Sequence, residues 1–244
     1  MDGSDAEAQT RVALVTGAAR GLGLLVATDL ARRGFDIAGL DRRGPELRAA
    51  MESLAQASGR RTLALVADLA EEAQVEDAVL AALNSFGRID VLINNAGVRE
   101  VAAVWETSTA AWDAMIDTNL KGTFLITRSV LANDMVLRGE GTILFISSAS
   151  AKRGVEGGAG YCASKWGVLG FAASVTQDVK DSSIRVTTIL PGMVETPMAQ
   201  ELELWQLGLD WLDPSHVSRA VVFCVEQDAS VHMPELVIHH RSWI

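Results

Sequence analysis

Cysteine is scarce in this chain of 244 residues: Cys162 and Cys224 are the two present. Two cysteines build no disulfide framework, and their spacing matches no metal-ligand pattern. Histidine is also thin, with His216, His232, His239 and His240. Adjacent strand residues point to opposite faces, so His239 and His240 do not read as a metal pair, and no metal is expected. No apolar run reaches the roughly 18 residues that span a bilayer. The first ten residues, Met1 to Thr10, lack the basic start and apolar core of a secretion signal. They read as a flexible tail, and the chain reads as cytoplasmic with no membrane partner. Positive charge is in deficit, with 21 Lys+Arg against 31 Asp+Glu and a net charge of -10. An acidic surface repels phosphate backbones, which argues against nucleic acid as a partner.

What is present is apolar matter: 49% of the residues are hydrophobic. That suits one α/β domain over residues 11–244. Strand-like runs fall at Val12–Thr16, Asp36–Asp41, Thr62–Ala67, Val91–Asn94, Thr142–Ser147, Arg185–Leu190 and Glu235–His239. The first six are nearly unbroken apolar runs, as strands covered on both faces require. Helical stretches fill the gaps: Gly21–Arg33, Pro45–Ala57, Glu71–Phe86, Thr109–Leu137, Tyr161–Asp181 and Pro214–Gln227. Several stop on glycine. Strand alternating with helix predicts a doubly wound parallel sheet of about seven strands with helices on both faces, a Rossmann-type fold.

Gly17, Gly21 and Gly23 follow the first strand and open the first helix. Glycines there let backbone approach a pyrophosphate, and a helix N-terminus offers it free N–H groups. Arg20 and Leu22 lie within the same loop. Asp41 ends the second strand, where a carboxylate can accept both ribose hydroxyls and repel a 2′-phosphate. That favours NAD over NADP. Arg20, Arg42 and Arg43 pull the other way, since an arginine near the ribose can hold a 2′-phosphate. Asp68 and Leu69 end the third strand, facing adenine or capping the next helix. Asn95, Ala96 and Gly97 follow the fourth, where small residues admit a ligand close to the backbone.

Tyr161 and Lys165 stand four apart on one helix and so share a face, with Ser148 thirteen residues upstream. A cation one turn from a phenol favours the phenolate and lowers its pKa. The pair reads as a tuned acid/base.

In this order and spacing, Thr16-Gly17, Gly21, Gly23, Asn94-Asn95-Ala96-Gly97, Asn119, Ser148, Tyr161, Lys165 and Pro191-Gly192 resemble the short-chain dehydrogenase/reductase family. The resemblance runs from about Arg11 to Gln227. It implies Tyr161 as general acid in reduction and base in oxidation, with Lys165 tuning it and holding the nicotinamide ribose. It implies Ser148 as the group that polarises the substrate oxygen. Asn119 would keep a water that links Lys165 to solvent. Pro191, Gly192, Val194 and Thr196 would border the nicotinamide. The reaction implied is NAD-dependent interconversion of a secondary alcohol and a ketone, an NADPH-dependent biosynthetic reductase being the alternative.

The segment from Pro197 to Asp213, rich in Trp and Leu, reads as a short lid over an apolar substrate or as packing. Met193 and Trp205 join Ser148 and Tyr161 as candidate substrate contacts. Relatives pair through the long helix and the Tyr161 helix, so a homodimer or homotetramer is expected.

Overall fold

The unbroken apolar runs become strands with little surface left to water. The computed structural model describes residues 10–201, 208 and 210–243. Its strands are β1 (Val12–Thr16), β2 (Asp36–Asp41), β3 (Thr62–Val66), β4 (Val91–Asn94), β5 (Glu140–Ile146), β6 (Ser183–Pro191) and β7 (Glu235–Ile238). They form one sheet in the order β3-β2-β1-β4-β5-β6-β7, and every pairing is parallel. All residues of β1, β2 and β4 are buried. β3 departs from the expectation of cover on both faces: it forms a sheet edge, and Val66 is 48% exposed.

Side chains alternate across the sheet and feed two cores. Leu14, Leu92, Ile143 and Phe145 pack on one face with Val79, Ile126 and Val168. Val15, Ile93, Leu144 and Ile146 pack on the other with Val26, Leu30, Met51 and Val221. The helices are α1 (Gly21–Arg32), α2 (Gly44–Ser58), α3 (Glu72–Phe86), α4 (Thr109–Ile116), α5 (Gly122–Val130), α6 (Val136–Arg138), α7 (Ala159–Asp178), α8 (Pro197–Glu201) and α9 (Pro214–Val225). The first core takes its helical members from α3, α5 and α7, the second from α1, α2 and α9.

The long helix expected over Thr109–Leu137 is a helical run broken by two π turns, Asp117–Lys121 and Leu131–Met135. α7 begins at Ala159 and ends at Asp178 rather than Asp181. There Ser182 Oγ donates back to the Val179 carbonyl at 2.6 Å and turns the chain.

The chain lays β1, β2 and β3 to one side, then returns to place β4 on the other side of β1. Loops leaving the carboxyl ends of β1 and β4 therefore diverge, and a crevice opens between them. None of the described helices is long and apolar enough to cross a membrane.

Candidate active site

The crevice is a cleft of about 610 Å³, a size that suits a bound small molecule. Its floor is a hydrogen-bonded seam between β1 and β4. Thr16 Oγ1 accepts from the backbone N–H of Asn95 and of Ala96, each at 3.0 Å. Asn95 Nδ2 donates to the Thr16 carbonyl at 2.9 Å. Gly17 turns away from this seam with φ +71°, a conformation that glycine adopts without steric cost. A Cβ on Gly17 would stand 2.9 Å from Asn95 Nδ2. The α1 N-terminus that follows has no side-chain cap. Its first N–H groups therefore remain available to an anion.

Every residue proposed from sequence as a coenzyme contact lines this one cleft: Gly17, Arg20, Gly21, Leu22, Gly23, Asp41, Arg42, Asp68, Leu69, Asn95, Ala96, Gly97, Tyr161, Lys165, Pro191, Gly192, Val194 and Thr196. Asp41 is buried, 6% exposed. Its carboxylate accepts from the backbone N–H of Ala19 at 3.3 Å and of Arg43 at 3.0 Å. It thereby ties the glycine loop to the end of β2. Among the described residues, three ion pairs cross this half of the cleft: Arg20 with Glu201 at 2.5 Å, Arg43 with Asp41 at 3.5 Å, and Arg42 with Asp68 at 3.9 Å. Asp68 does not cap α3; its carboxylate closes the turn onto the Ala70 N–H at 3.0 Å.

These features fit a nicotinamide dinucleotide: a capless helix start for phosphates, a fixed carboxylate at a strand end, and a glycine-lined wall beside Lys165. A Cβ on Gly97 would lie 3.3 Å from Asn119 Oδ1 and 3.6 Å from Lys165 Nζ.

At the other end, α7 presents Tyr161 and Lys165 one turn apart, and Ser148 follows β5 to face them. Tyr161 and Ser148 both line the cleft. Lys165 is 5% exposed, and its Nζ donates to the Ile146 carbonyl at 3.0 Å. Ser147 Oγ donates to the Lys165 carbonyl at 3.1 Å, so α7 is pinned to the end of β5.

Burial lowers the Lys165 ammonium to about 8. Burial also pushes the Tyr161 phenol above its ordinary value, against the opposing pull of the Arg99 guanidinium and the Ser148 hydroxyl. This corrects the expectation that Lys165 lowers the phenol. Lys165 Nζ lies 5.7 Å from the centroid of the Tyr161 ring and its donor is aimed at β5, so desolvation prevails. The nearby cation that does act on Tyr161 is Arg99, with its guanidinium carbon 5.1 Å from the ring centroid. Sequence reasoning missed Arg99; its one signal was a basic residue two places after the Asn95-Ala96-Gly97 turn.

Asn119 stands apart from the other site candidates. It sits in the π turn at Asp117–Lys121, is 1% exposed, and does not line the cleft. Its Oδ1 accepts from Val98 N–H at 2.7 Å, while Nδ2 donates to the Val98 carbonyl at 2.9 Å and to Ser164 Oγ at 3.0 Å. With those bonds made, the side chain splices the loop after β4 to α7. π turns recur at functional sites for such re-aiming of one residue.

Met193 lines the cleft, and its loop is held to Leu212 by a backbone bond of 2.8 Å. Trp205 lies outside the described residues, as does much of the expected lid; Met198 and Trp211 of that segment do line the cleft. Among the described residues, no group of three or more His, Cys, Asp and Glu could hold a metal ion.

Comparison with known proteins agrees with this geometry. Residues 11–207 match the family model described as short chain dehydrogenase. The chain is 39% identical over 197 residues to a putative ketoacyl reductase of the monensin polyketide synthase from Streptomyces virginiae, covering 80% of this chain and 75% of that one. It is 38% identical over 201 residues to a 2-(R)-hydroxypropyl-CoM dehydrogenase from Xanthobacter autotrophicus, covering 81% and 78%. A crystal structure of a variant actinorhodin polyketide ketoreductase with NADPH superposes with a TM-score of 0.88 at 32% identity, covering 94% and 96%. The parallel seven-stranded sheet, the cleft at its switch point and these likenesses agree: the chain belongs to the short-chain dehydrogenase family and is a nucleotide-binding oxidoreductase.

Proposed function

We propose that residues 11–244 form one oxidoreductase domain that interconverts a secondary alcohol and a ketone, with NAD as coenzyme and Tyr161 as general acid/base. The observation that carries this reading is the meeting of Tyr161, Ser148 and Lys165 in the same cleft as the glycine loop and Asp41. The bound nicotinamide supplies or accepts the hydride. Tyr161 Oη gives a proton to the substrate oxygen in reduction and takes it back in oxidation. Its raised pKa keeps the phenol protonated at neutral pH in the free protein, ready for the reductive direction. Ser148 holds that oxygen and polarises it, so that charge developing there meets a donor already in place. Lys165 stands behind Tyr161, charged at neutral pH with its value near 8. It would hold the nicotinamide ribose. Asn119 aligns Val98 and α7 through its side-chain bonds, leaving its main-chain carbonyl, which accepts from Thr123 Oγ1 at 2.7 Å, as the place for a relay water.

Asp41 supports NAD: a buried carboxylate, fixed by two backbone N–H bonds, repels a 2′-phosphate. The second reading, an NADPH-dependent carbonyl reductase, is favoured by Arg20, Arg42 and Arg43 around the same carboxylate and by the NADPH-bound ketoreductase above. An apolar substrate body is supported by Val98, Val155, Met193 and Trp211 in the cleft lining. Exposed Trp112, Phe124 and Trp166 on α4, α5 and α7 support self-association through that face.

The test is a nicotinamide absorbance assay with both coenzymes across alcohols and ketones of graded size. NAD(H) turnover with kcat/KM above that for NADP(H) is expected. A reversed ratio would install the second reading, and no turnover of any carbonyl or alcohol would remove the oxidoreductase assignment.

A further inference from the structure

A second charged element sits at the reacting end, and no motif accounts for it. Arg99 lines the cleft beside Tyr161 and Ser148. Its Nε is buried and has no hydrogen-bond partner among the described residues. Among the described residues the guanidinium has no carboxylate partner; it lies over the Tyr161 ring at 5.1 Å. A buried guanidinium donor left unpaired is costly, and such donors normally face an acceptor.

Among the described residues, the carboxylates that line the cleft do not serve it. Asp41, Asp68 and Glu201 each pair with an arginine of the coenzyme half, namely Arg43, Arg42 and Arg20. A chain of net charge -10 thus carries the positive charge of Arg99 beside Tyr161.

The position of Arg99 is fixed on both sides. Val98 before it is clamped by Asn119 at 2.7 and 2.9 Å. Ala102 after it donates to the Gly157 carbonyl at 3.0 Å and bridges Gly158, at the threshold of α7. The guanidinium is therefore held in register with the helix that carries Tyr161. A planar fork of N–H donors in a preset place matches a carboxylate.

We infer that Arg99 is a specificity-determining residue that receives a carboxylate of the substrate, so that the substrate is a short keto acid or the matching hydroxy acid. This rests on the oxidoreductase reading and narrows its substrate class: an apolar body against Val98, Val155 and Met193, with an acid group on Arg99.

The probes are acetoacetate and methyl acetoacetate, which share the ketone and differ in the charge. With the intact protein and its preferred coenzyme, kcat/KM for the acid should exceed that for the ester by about tenfold or more. Arg99→Gln should collapse this acid-to-ester ratio towards one, and Arg99→Lys should restore part of it. The ratio removes any general loss of activity from the readout. Equal values for acid and ester in the parent protein, or a ratio untouched by Arg99→Gln, would overturn the assignment. Calorimetric binding of acetoacetate to the coenzyme-loaded protein tests the site without turnover. A Kd weakened about tenfold by Arg99→Gln supports it, and an unchanged Kd or absent binding in the parent refutes it. Failure of the oxidoreductase reading looks different: no nicotinamide absorbance change with either probe or with any member of the neutral panel.

Discussion

Lys165 Nζ donates to the carbonyl of Ile146, the last residue of β5, over 3.0 Å. A buried ammonium is thus kept by one neutral acceptor. Its folded value near 8 lies below the ordinary 10.5 because of burial. The unfolded chain therefore holds the proton more tightly, and the penalty is fully present below about pH 8. It is relieved as pH rises from about 8 towards 10.5. Lys165→Met should raise stability at neutral pH by up to about 3 kcal/mol, with the gain shrinking across that alkaline window while turnover is lost. Urea unfolding at neutral and alkaline pH measures this; a Met variant no more stable at neutral pH refutes it.

Tyr161 is the sole tyrosine of the chain, so ultraviolet difference titration of tyrosinate reports this phenol alone. Its midpoint should lie above the ordinary phenol value, because burial outweighs the pull of Arg99 and Ser148. Arg99→Gln should move it higher still. A midpoint that stays put or falls in that variant would mean the two groups do not interact.

Asn119→Ala leaves the N–H and carbonyl of Val98 and the hydroxyl of Ser164 short of a partner. A loss of at least about 2 kcal/mol in unfolding free energy is expected, since orphaned buried polar groups each cost about 1–3 kcal/mol. Denaturant midpoints at constant slope give the number. A loss below the error of the method would show that water replaces the amide at no cost.

Asp41→Ala removes a carboxylate that serves two backbone N–H groups and lines the cleft. Coenzyme affinity should fall for both nicotinamides, and the NAD-to-NADP ratio of kcat/KM should fall by about tenfold, the scale of one lost charge interaction. An unchanged ratio would shift coenzyme choice from Asp41 to the flanking arginines.

The sheet was legible because period and composition decide it: Val12–Thr16 and Val91–Asn94 are apolar up to a single polar residue at the end, and both strands are buried along their length. The gathering of Gly17, Gly21 and Gly23 at one cleft was legible because they stand between a strand and the helix that follows it. Arg99 was not, since its meaning depends on Gly157 and Tyr161 some sixty residues away. Nor were the π turns; the first ends at Gly122, which packs so tightly that a Cβ would stand 2.7 Å from that of Leu69. The upward displacement of Tyr161 escaped the sequence for a related reason: spacing places Lys165 on the same helix face but does not say where its ammonium points.

The seam between β1 and β4 also joins stretches of chain that lie far apart in sequence. Val12 reaches Asp90 across 78 positions of chain, and Thr16 reaches Asn95 and Ala96 across 79 and 80. Contacts of such long range close late and slowly, after the entropy of the intervening loop has been lost. Until then Gly17 and Asn95 belong to separate fragments, and no nucleotide pocket exists for a nascent chain to use. Coenzyme can therefore stabilise only molecules that have already closed the seam, which makes it a clamp on the finished fold rather than a template for it.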